Sequence, residues 1–195
     1  MIKARESREP EFEIVPAGNH QAVCTAVYDL GLQETEYMGE TKRLYQIVIT
    51  WEINELMTKG KYAGQRFTIS KKYTNSTHEK SNMRQDLESW RGKPYGEGEM
   101  EKLDLEMLIG KNCLLNIVHK QFKGKTFANI ASIGQLAKGM QPMKPELSPE
   151  HMPKWIAELQ AKQIREDVPE HKEHLEGDFY DNSGFDMDVV DPNVI

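Results

Sequence analysis

Cysteine is scarce in this sequence, and long apolar runs are missing. The two cysteines, Cys24 and Cys113, lie far apart and each falls inside a predicted strand, so neither belongs to a closely spaced metal-binding pair. No apolar run approaches the roughly 20 residues that cross a membrane. The charged N-terminus lacks the apolar core of a secretory signal. We therefore expect reduced core cysteines in a cytoplasmic protein.

Motifs that carry catalysis are also missing. The sequence contains no HExxH, CxxC, Walker, GxGxxG or GxSxG pattern. The one cluster worth naming is Thr77-His78-Glu79 with Asp86 nearby, and a loop followed by a helix cap explains it better than a metal site does. We therefore expect no enzymatic activity, no metal and no cofactor.

One short stretch, residues 81–93, has the signals of a complete helix. Ser81 can cap its N-terminus, and Gly92 stands where a left-handed residue ends a helix. Three apolar residues recur between them at helical spacing: Met83, Leu87 and Trp90. This spacing predicts one apolar face, which anchors the helix on a core.

Five strand-like segments surround this helix, three before it and two after it. They are residues 21–30, 43–54, 65–75, 112–122 and 126–133. The last two predict a hairpin with a tight basic turn at residues 123–125, whereas residues 33–42 are expected to form a loop. A helix between the third and fourth of five strands predicts a mainly β fold, the five-stranded OB-fold barrel, over residues 12–138.

Alternation along the first two strands predicts which side chains face the core. In the first strand, Ala22, Cys24, Ala26 and Tyr28 are expected on one face, and Val23, Thr25 and Val27 on the other. In the second strand, odd positions from Arg43 to Ile53 are expected to face the core, and even positions from Leu44 to Glu52 to face water. One side of the second strand should therefore be open to solvent.

Charge and composition change after about residue 139. Residues 1–139 carry 20 Lys and Arg against 18 Asp and Glu, whereas the remaining residues carry 5 against 13. Prolines punctuate residues 139–165, which we expect to be a linker with a short helix at 152–164. Residues 166–195 contain ten acidic residues and one lysine, a composition that predicts a disordered acidic tail. Residues 1–11 are expected to be a flexible arm.

Aromatic and cationic residues occur together in and near the last three strands. Flat side chains on which bases stack, beside cations that contact phosphates, are typical of proteins that bind single strands. The candidate DNA-binding residues are Tyr45, Arg66, Lys71, Lys72, Tyr73, Arg91, Lys93, Tyr95, Lys120, Phe122, Lys123 and Lys125. The three tyrosines in this set are equally compatible with core positions, and Trp51, Phe67 and Trp90 favour the core.

The acidic tail ends in a segment that alternates acidic with apolar residues. Its candidate partner-binding residues are Phe185, Asp186, Asp188, Asp191, Val194 and Ile195. An acidic string with an apolar tip suits a basic, hydrophobic groove on another protein. It can also compete with phosphates for the basic body of the chain. A solvated tail without a partner is the alternative.

Several stretches between residues 12 and 138 together carry a family resemblance. They are Trp51-Glu52-Ile53, His78 to Gly92, Leu108 to Lys111, Asn116 to His119, and Ala128-Asn129-Ile130. With the acidic tail, they resemble the single-stranded DNA-binding proteins of tailed bacteriophages. The chain ends in Asn-Val-Ile, whereas cellular single-strand binders often end in Pro-Phe.

The resemblance implies an OB-fold that binds single-stranded DNA with little sequence preference during phage replication or recombination, in the cytoplasm of the bacterial host. It implies replication or recombination proteins as partners of the tail, and it leaves a homo-oligomer open. The alternative function is a protein-interaction module that recruits such proteins through the tail. A nuclease, which would require Mg²⁺, is a third class.

Overall fold

The chain folds mainly as β-structure in a computed structural model that describes residues 13–37, 39–148 and 150–164. Its strands are β1 Gly18–Tyr37, β2 Glu40–Leu56, β3 Arg66–Thr74, β4 Asn112–Phe122 and β5 Lys125–Gln135. Its α-helices are α1 Asn82–Arg91 and α2 Lys154–Ala161, with 3₁₀ turns at Met100–Lys102 and Leu105–Leu108. Neither described α-helix has the length and apolar character needed to cross a membrane. The expected arm (1–11) and acidic tail (166–195) lie outside the described residues.

The five strands form one antiparallel sheet in the order β3-β2-β1-β4-β5. Strands β3 and β5 are its edges, and among the described residues no ladder joins them, so the sheet is open. Helix α1 connects the two edges. The Ser89 hydroxyl donates to the Ile133 carbonyl of β5, and Lys71 Nζ of β3 lies 2.7 Å from the Asp86 carboxylate. The prediction of a mainly β fold with five strands and this helix is confirmed.

Helix α1 has the start, the stop and the apolar face that its sequence predicts. Ser81 accepts a hydrogen bond from the Arg84 N–H, and Gly92, at φ +75°, donates its own N–H to the Glu88 carbonyl. The residues it buries are Met83, Leu87 and Trp90. The Trp90 ring lies 5.8 Å from that of Trp51 on β2, so the helix closes the inner side of the curved sheet.

An extra residue in β1 lets that strand contribute side chains to two apolar clusters. Cys24 pairs with Trp51 and Ala26 with Thr50, which leaves Thr25 as a β-bulge. Ala22 and Cys24 lie in the inner cluster with the helix. The outer cluster consists of Ala26, Tyr28, Leu30, Val48 and Ile156. The expectation that Ala22 to Tyr28 share one face is therefore wrong, because the added residue turns Ala26 and Tyr28 to the opposite face.

Of residues 33–42, expected to be a loop, residues 33–37 and 40–42 continue the β1–β2 hairpin. Their pairing runs from Gln33 opposite Leu44 to Tyr37 opposite Glu40. These residues are mostly polar on both faces, so the stretch lacks the apolar alternation that indicates a strand. Backbone pairing between β1 and β2 continues beyond the residues of these strands that pack on a core, and this makes the hairpin long.

The even positions of β2 from Gln46 to Glu52, expected to face water, are buried, whereas Arg43 and Tyr45, expected to face the core, are exposed. Val48, Thr50 and Glu52 are 0%, 6% and 1% exposed. The outer side of the sheet at β1 and β2 is covered by residues 140–148 and 150–164, most of the stretch expected to be a linker, which we call the C-terminal cover. Contacts with such a distant part of the chain leave no trace in the alternation of β2 itself.

Polar and apolar contacts hold the C-terminal cover on the sheet. The Glu52 carboxylate accepts hydrogen bonds from the N–H groups of Glu146 and Leu147. The Tyr28 hydroxyl donates to the His151 carbonyl at 2.5 Å. Ile156 of α2 is fully buried in the outer cluster. The folded body therefore continues to the last described residues.

Replacement of Ile156 measures how firmly the C-terminal cover is attached. We expect Ile156→Ala to lower the free energy of unfolding by about 2–5 kcal/mol, because it leaves a cavity in the outer cluster. Urea unfolding of the full chain provides the measurement. The control is Glu158→Ala on the exposed side of α2, which should change stability by no more than about 0.5 kcal/mol. Equal stability of the two variants would contradict a docked α2.

Candidate nucleic-acid interface

Strands β4 and β5 extend beyond the rest of the sheet as a two-stranded ribbon, residues 118–122 and 125–129. Ile117 pairs with Gly18, the first residue of β1, and beyond this point β4 is paired only with β5. The ribbon is about 15 Å long, at about 3.3 Å per residue. Lys123 and Gly124 turn it with φ +47° and +78°, the two positive values of a type I′ turn.

The register of this ribbon places rings and cations on one face. Lys120 pairs with Phe127, and Phe122 with Lys125. Because paired residues and alternate residues of a strand share a face, these four side chains lie together on what we call the ribbon face. Both lysines are exposed and both rings are half-buried. Lys123 at the turn places its Nζ 5.2 Å from the centroid of the Phe122 ring.

The opposite face of the ribbon fixes it to the body. A ring nitrogen of His119 lies 2.8 Å from the Val15 carbonyl oxygen, just ahead of β1. Ile117 and Ile130, at the base of the ribbon, are buried in the inner cluster. The ribbon therefore stands on a packed base and turns its aromatic and cationic side outward.

Phe127 is the ribbon residue that the sequence-based set of candidates leaves out. A two-residue turn at Lys123 and Gly124 fixes the register, which places Phe127 opposite Lys120. The predicted hairpin with its tight turn therefore already implied that Phe127 lies opposite Lys120.

Other predicted residues are held in contacts within the protein. Tyr73 is 4% exposed, and its hydroxyl lies 2.8 Å from the Asp86 carboxylate. Its ring therefore has no face for a base, and we remove it from the candidate set. The Lys71 ammonium pairs with the same carboxylate. The Arg66 guanidinium pairs with Glu52 at 3.3 Å and with a second carboxylate, that of Glu146, at 2.9 Å.

A third group of predicted residues lies at the C-terminal end of α1. The Arg91 guanidinium carbon lies 4.5 Å from the centroid of the Tyr95 ring and covers it, and the same guanidinium donates a hydrogen bond to Glu99. This hydrogen bond, followed by one from the Gly96 N–H, lowers the pKa of Glu99 from 4.5 to about 2. Lys93 is exposed beside this loop.

The last two predicted residues lie on β2 and β3. Tyr45 is 50% exposed on β2, beyond the buried part of that strand. Lys72 lies on β3 opposite Val48 and is half-buried. The partner-binding candidates of the tail, Phe185, Asp186, Asp188, Asp191, Val194 and Ile195, lie outside the described residues. Of the surfaces considered, only the ribbon face combines several exposed cations with aromatic rings.

Metal and thiol chemistry depend on how His, Cys, Asp and Glu side chains are grouped. No group of three or more His, Cys, Asp or Glu side chains in that part of the chain is placed to hold a metal ion. The thiols of Cys24 and Cys113 are free and buried. Burial raises the pKa of Cys24 to about 12 and raises that of Cys113 as well, so both remain protonated thiols.

Comparison with known proteins gives no family for this chain: no family model matches it, and no curated protein does. The functional assignment therefore depends on the geometry and chemistry of the ribbon face.

Acidification tests the contact between Arg91 and Glu99. A carboxyl group whose pKa is lower in the folded chain contributes stability above its unfolded pKa and loses it as the pH falls through the folded value. Stability from this contact should therefore be present above pH 4.5 and decline towards about pH 2. We expect Glu99→Gln to flatten this part of the dependence of Tm on pH.

The matched control for Glu99→Gln is Glu97→Gln, which alters a carboxyl group on the same loop and leaves the Arg91 contact intact. Thermal unfolding followed by circular dichroism at pH steps from 5 to about 2 compares the two variants. A Glu99→Gln profile identical to that of the wild type would contradict the described role of this hydrogen bond.

Proposed function

We propose that this protein binds single-stranded DNA with little sequence preference and that the ribbon face is its principal contact. The observation that carries the proposal is the cross-strand arrangement of Lys120 with Phe127 and of Phe122 with Lys125. Two rings and two cations alternate there on one side of a hairpin. Bases and phosphates alternate in a similar way along a single strand.

The proposed preference for single-stranded over duplex DNA has its physical basis in access to the flat faces of bases. In a duplex those faces are stacked and paired, whereas in a single strand they are free to stack on Phe122 and Phe127. Every base has such a face, so stacking discriminates poorly between sequences. Lys120, Lys123 and Lys125 replace counterions on the phosphates, which makes the affinity depend on salt. Neither a cofactor nor a catalytic group is needed.

The strand order supports an OB-fold as the finer description of the open sheet. In that fold a five-stranded, partly open barrel binds oligonucleotides. Here β1 pairs with both β2 and β4, and α1 connects the remaining edges, β3 and β5. We further propose, from the resemblance to single-strand binders of tailed phages, a role in phage DNA replication or recombination in the host cytoplasm.

Variants of the ribbon face test this proposal. We expect Phe122→Ala to weaken binding to oligo-dT by about 5- to 150-fold, the equivalent of losing one stacked base. Lys125→Gln should reduce the slope of log affinity against log salt by about 0.7, because one phosphate contact is lost. Fluorescence anisotropy of a labelled oligonucleotide suits the measurement, since Trp51 and Trp90 are buried and report poorly on the surface.

Matched controls are Met107→Ala, which removes an exposed apolar side chain elsewhere, and Lys102→Gln, which removes an exposed cation. Both should bind as the wild type does. A duplex of equal length should bind more weakly than oligo-dT. Equal affinity for the two would contradict the proposal, and no affinity for either would favour the protein-interaction module that acts through the acidic tail.

Removal of the acidic tail tests its competition with DNA. We expect a chain ending at residue 165 to bind oligo-dT more tightly than the full chain at low salt, because a competing anion has been removed. The difference should shrink at high salt, where charges are screened. Anisotropy titrations at two salt concentrations measure it. Equal or weaker binding by the shortened chain at low salt would contradict the competition.

A further inference from the structure

The outer side of β2 is the surface through which an OB-fold would be expected to bind a nucleic acid. In that fold, strands 2 and 3 and the adjoining loops supply the oligonucleotide-binding face. Here the corresponding positions of β2, Val48, Thr50 and Glu52, are almost completely buried. The chain itself, through the C-terminal cover, occupies the β2 part of that surface.

Glu52 anchors one part of the C-terminal cover. Its carboxylate accepts the Glu146 N–H at 2.9 Å and the Leu147 N–H, and the Arg66 guanidinium lies 3.3 Å away. A buried carboxylate is tolerated only when it is paired in this way. The guanidinium also donates to the Lys144 carbonyl at 2.8 Å, so it is bound to the cover as well.

A second group of hydrogen bonds joins the end of the C-terminal cover to the backbone of β1. The Gln160 side-chain amide donates to the Asp29 carbonyl at 2.7 Å, and the Ile164 N–H to the Leu32 carbonyl at 2.9 Å. Ile156 fills the outer cluster between these two sets of contacts. The cover is therefore attached to the sheet through its length, both by hydrogen bonds and by buried apolar surface.

The chemistry beneath the cover is unfavourable to a nucleic acid. A phosphate that reached this part of β2 would meet the Glu52 carboxylate, a like charge. The neighbouring cation, Arg66, is already shared between two carboxylates and a carbonyl. Displacement of the cover would expose Val48 and Ile156, both fully buried, to water.

We propose that the C-terminal cover is a fixed part of the fold that closes the β2 face, so that single-stranded DNA is confined to the ribbon face. This inference rests on the proposed function. It assigns no phosphate contact to Lys72, which lies on β3 directly opposite the covered Val48. It assigns such a contact to Lys125 at the tip of the ribbon.

The matched pair Lys72→Gln and Lys125→Gln tests this inference in the full chain. Titration of oligo-dT over a series of salt concentrations gives the slope for each variant. Lys72→Gln should keep the wild-type slope, whereas Lys125→Gln should lower it by about 0.7. A reduction of that size for Lys72→Gln would show that the β2–β3 face is open and overturn the inference. A wild type without affinity for oligo-dT would instead overturn the proposed function.

Hydrogen exchange tests separately whether the cover is fixed. The amides of Glu146 and Leu147, which donate to Glu52, should exchange no faster with saturating oligo-dT than without it. Exchange that is tenfold faster in the presence of oligo-dT would show that DNA displaces the cover, and it would overturn the inference even if the ribbon variants behave as expected.

Discussion

The fold depends on the burial of a charged side chain on the outer side of its central sheet. Glu52 would be costly there without partners, and besides Arg66 of β3 its partners are N–H groups of Glu146 and Leu147 far along the chain. The sheet without the cover would leave this buried carboxylate with Arg66 as its partner and without the two N–H donors, and the cover without the sheet would leave those amides unpaired. The β-bulge at Thr25 makes the apolar part of the same contact possible, because it turns Ala26 and Tyr28 outward.

This mutual dependence explains which parts of the fold the sequence predicts. Helix α1 and the β4–β5 hairpin follow from local signals, a Ser81 cap, a Gly92 stop and a tight turn, and the structure agrees with them. Which side chains of β1 and β2 face the core does not follow from local signals, because the bulge at Thr25 and the C-terminal cover determine it.

The residues of the candidate site also divide into those that the sequence predicts and those that only the structure identifies. Sequence alone brings Phe122 and its neighbouring lysines together, because a short hairpin keeps residues that are close in sequence close in space. It does not show that Tyr73, an aromatic residue with equal support from the sequence, is unable to stack on a base. The packing of α1 against β3 buries this side chain and leaves no room for a base. Phe127 required the register as well as the composition. Local composition thus identifies the kind of contact, and only tertiary structure identifies its location.

The position of the bound strand is the most direct test of this account. Photo-cross-linking of a halogenated oligo-dT to the full chain, followed by mapping of the modified peptides, locates that strand. The account predicts adducts on the ribbon, at residues 118–129, and few adducts with a duplex of the same length. Adducts confined to β2 and β3, or equal yields with single-stranded and duplex DNA, would contradict it.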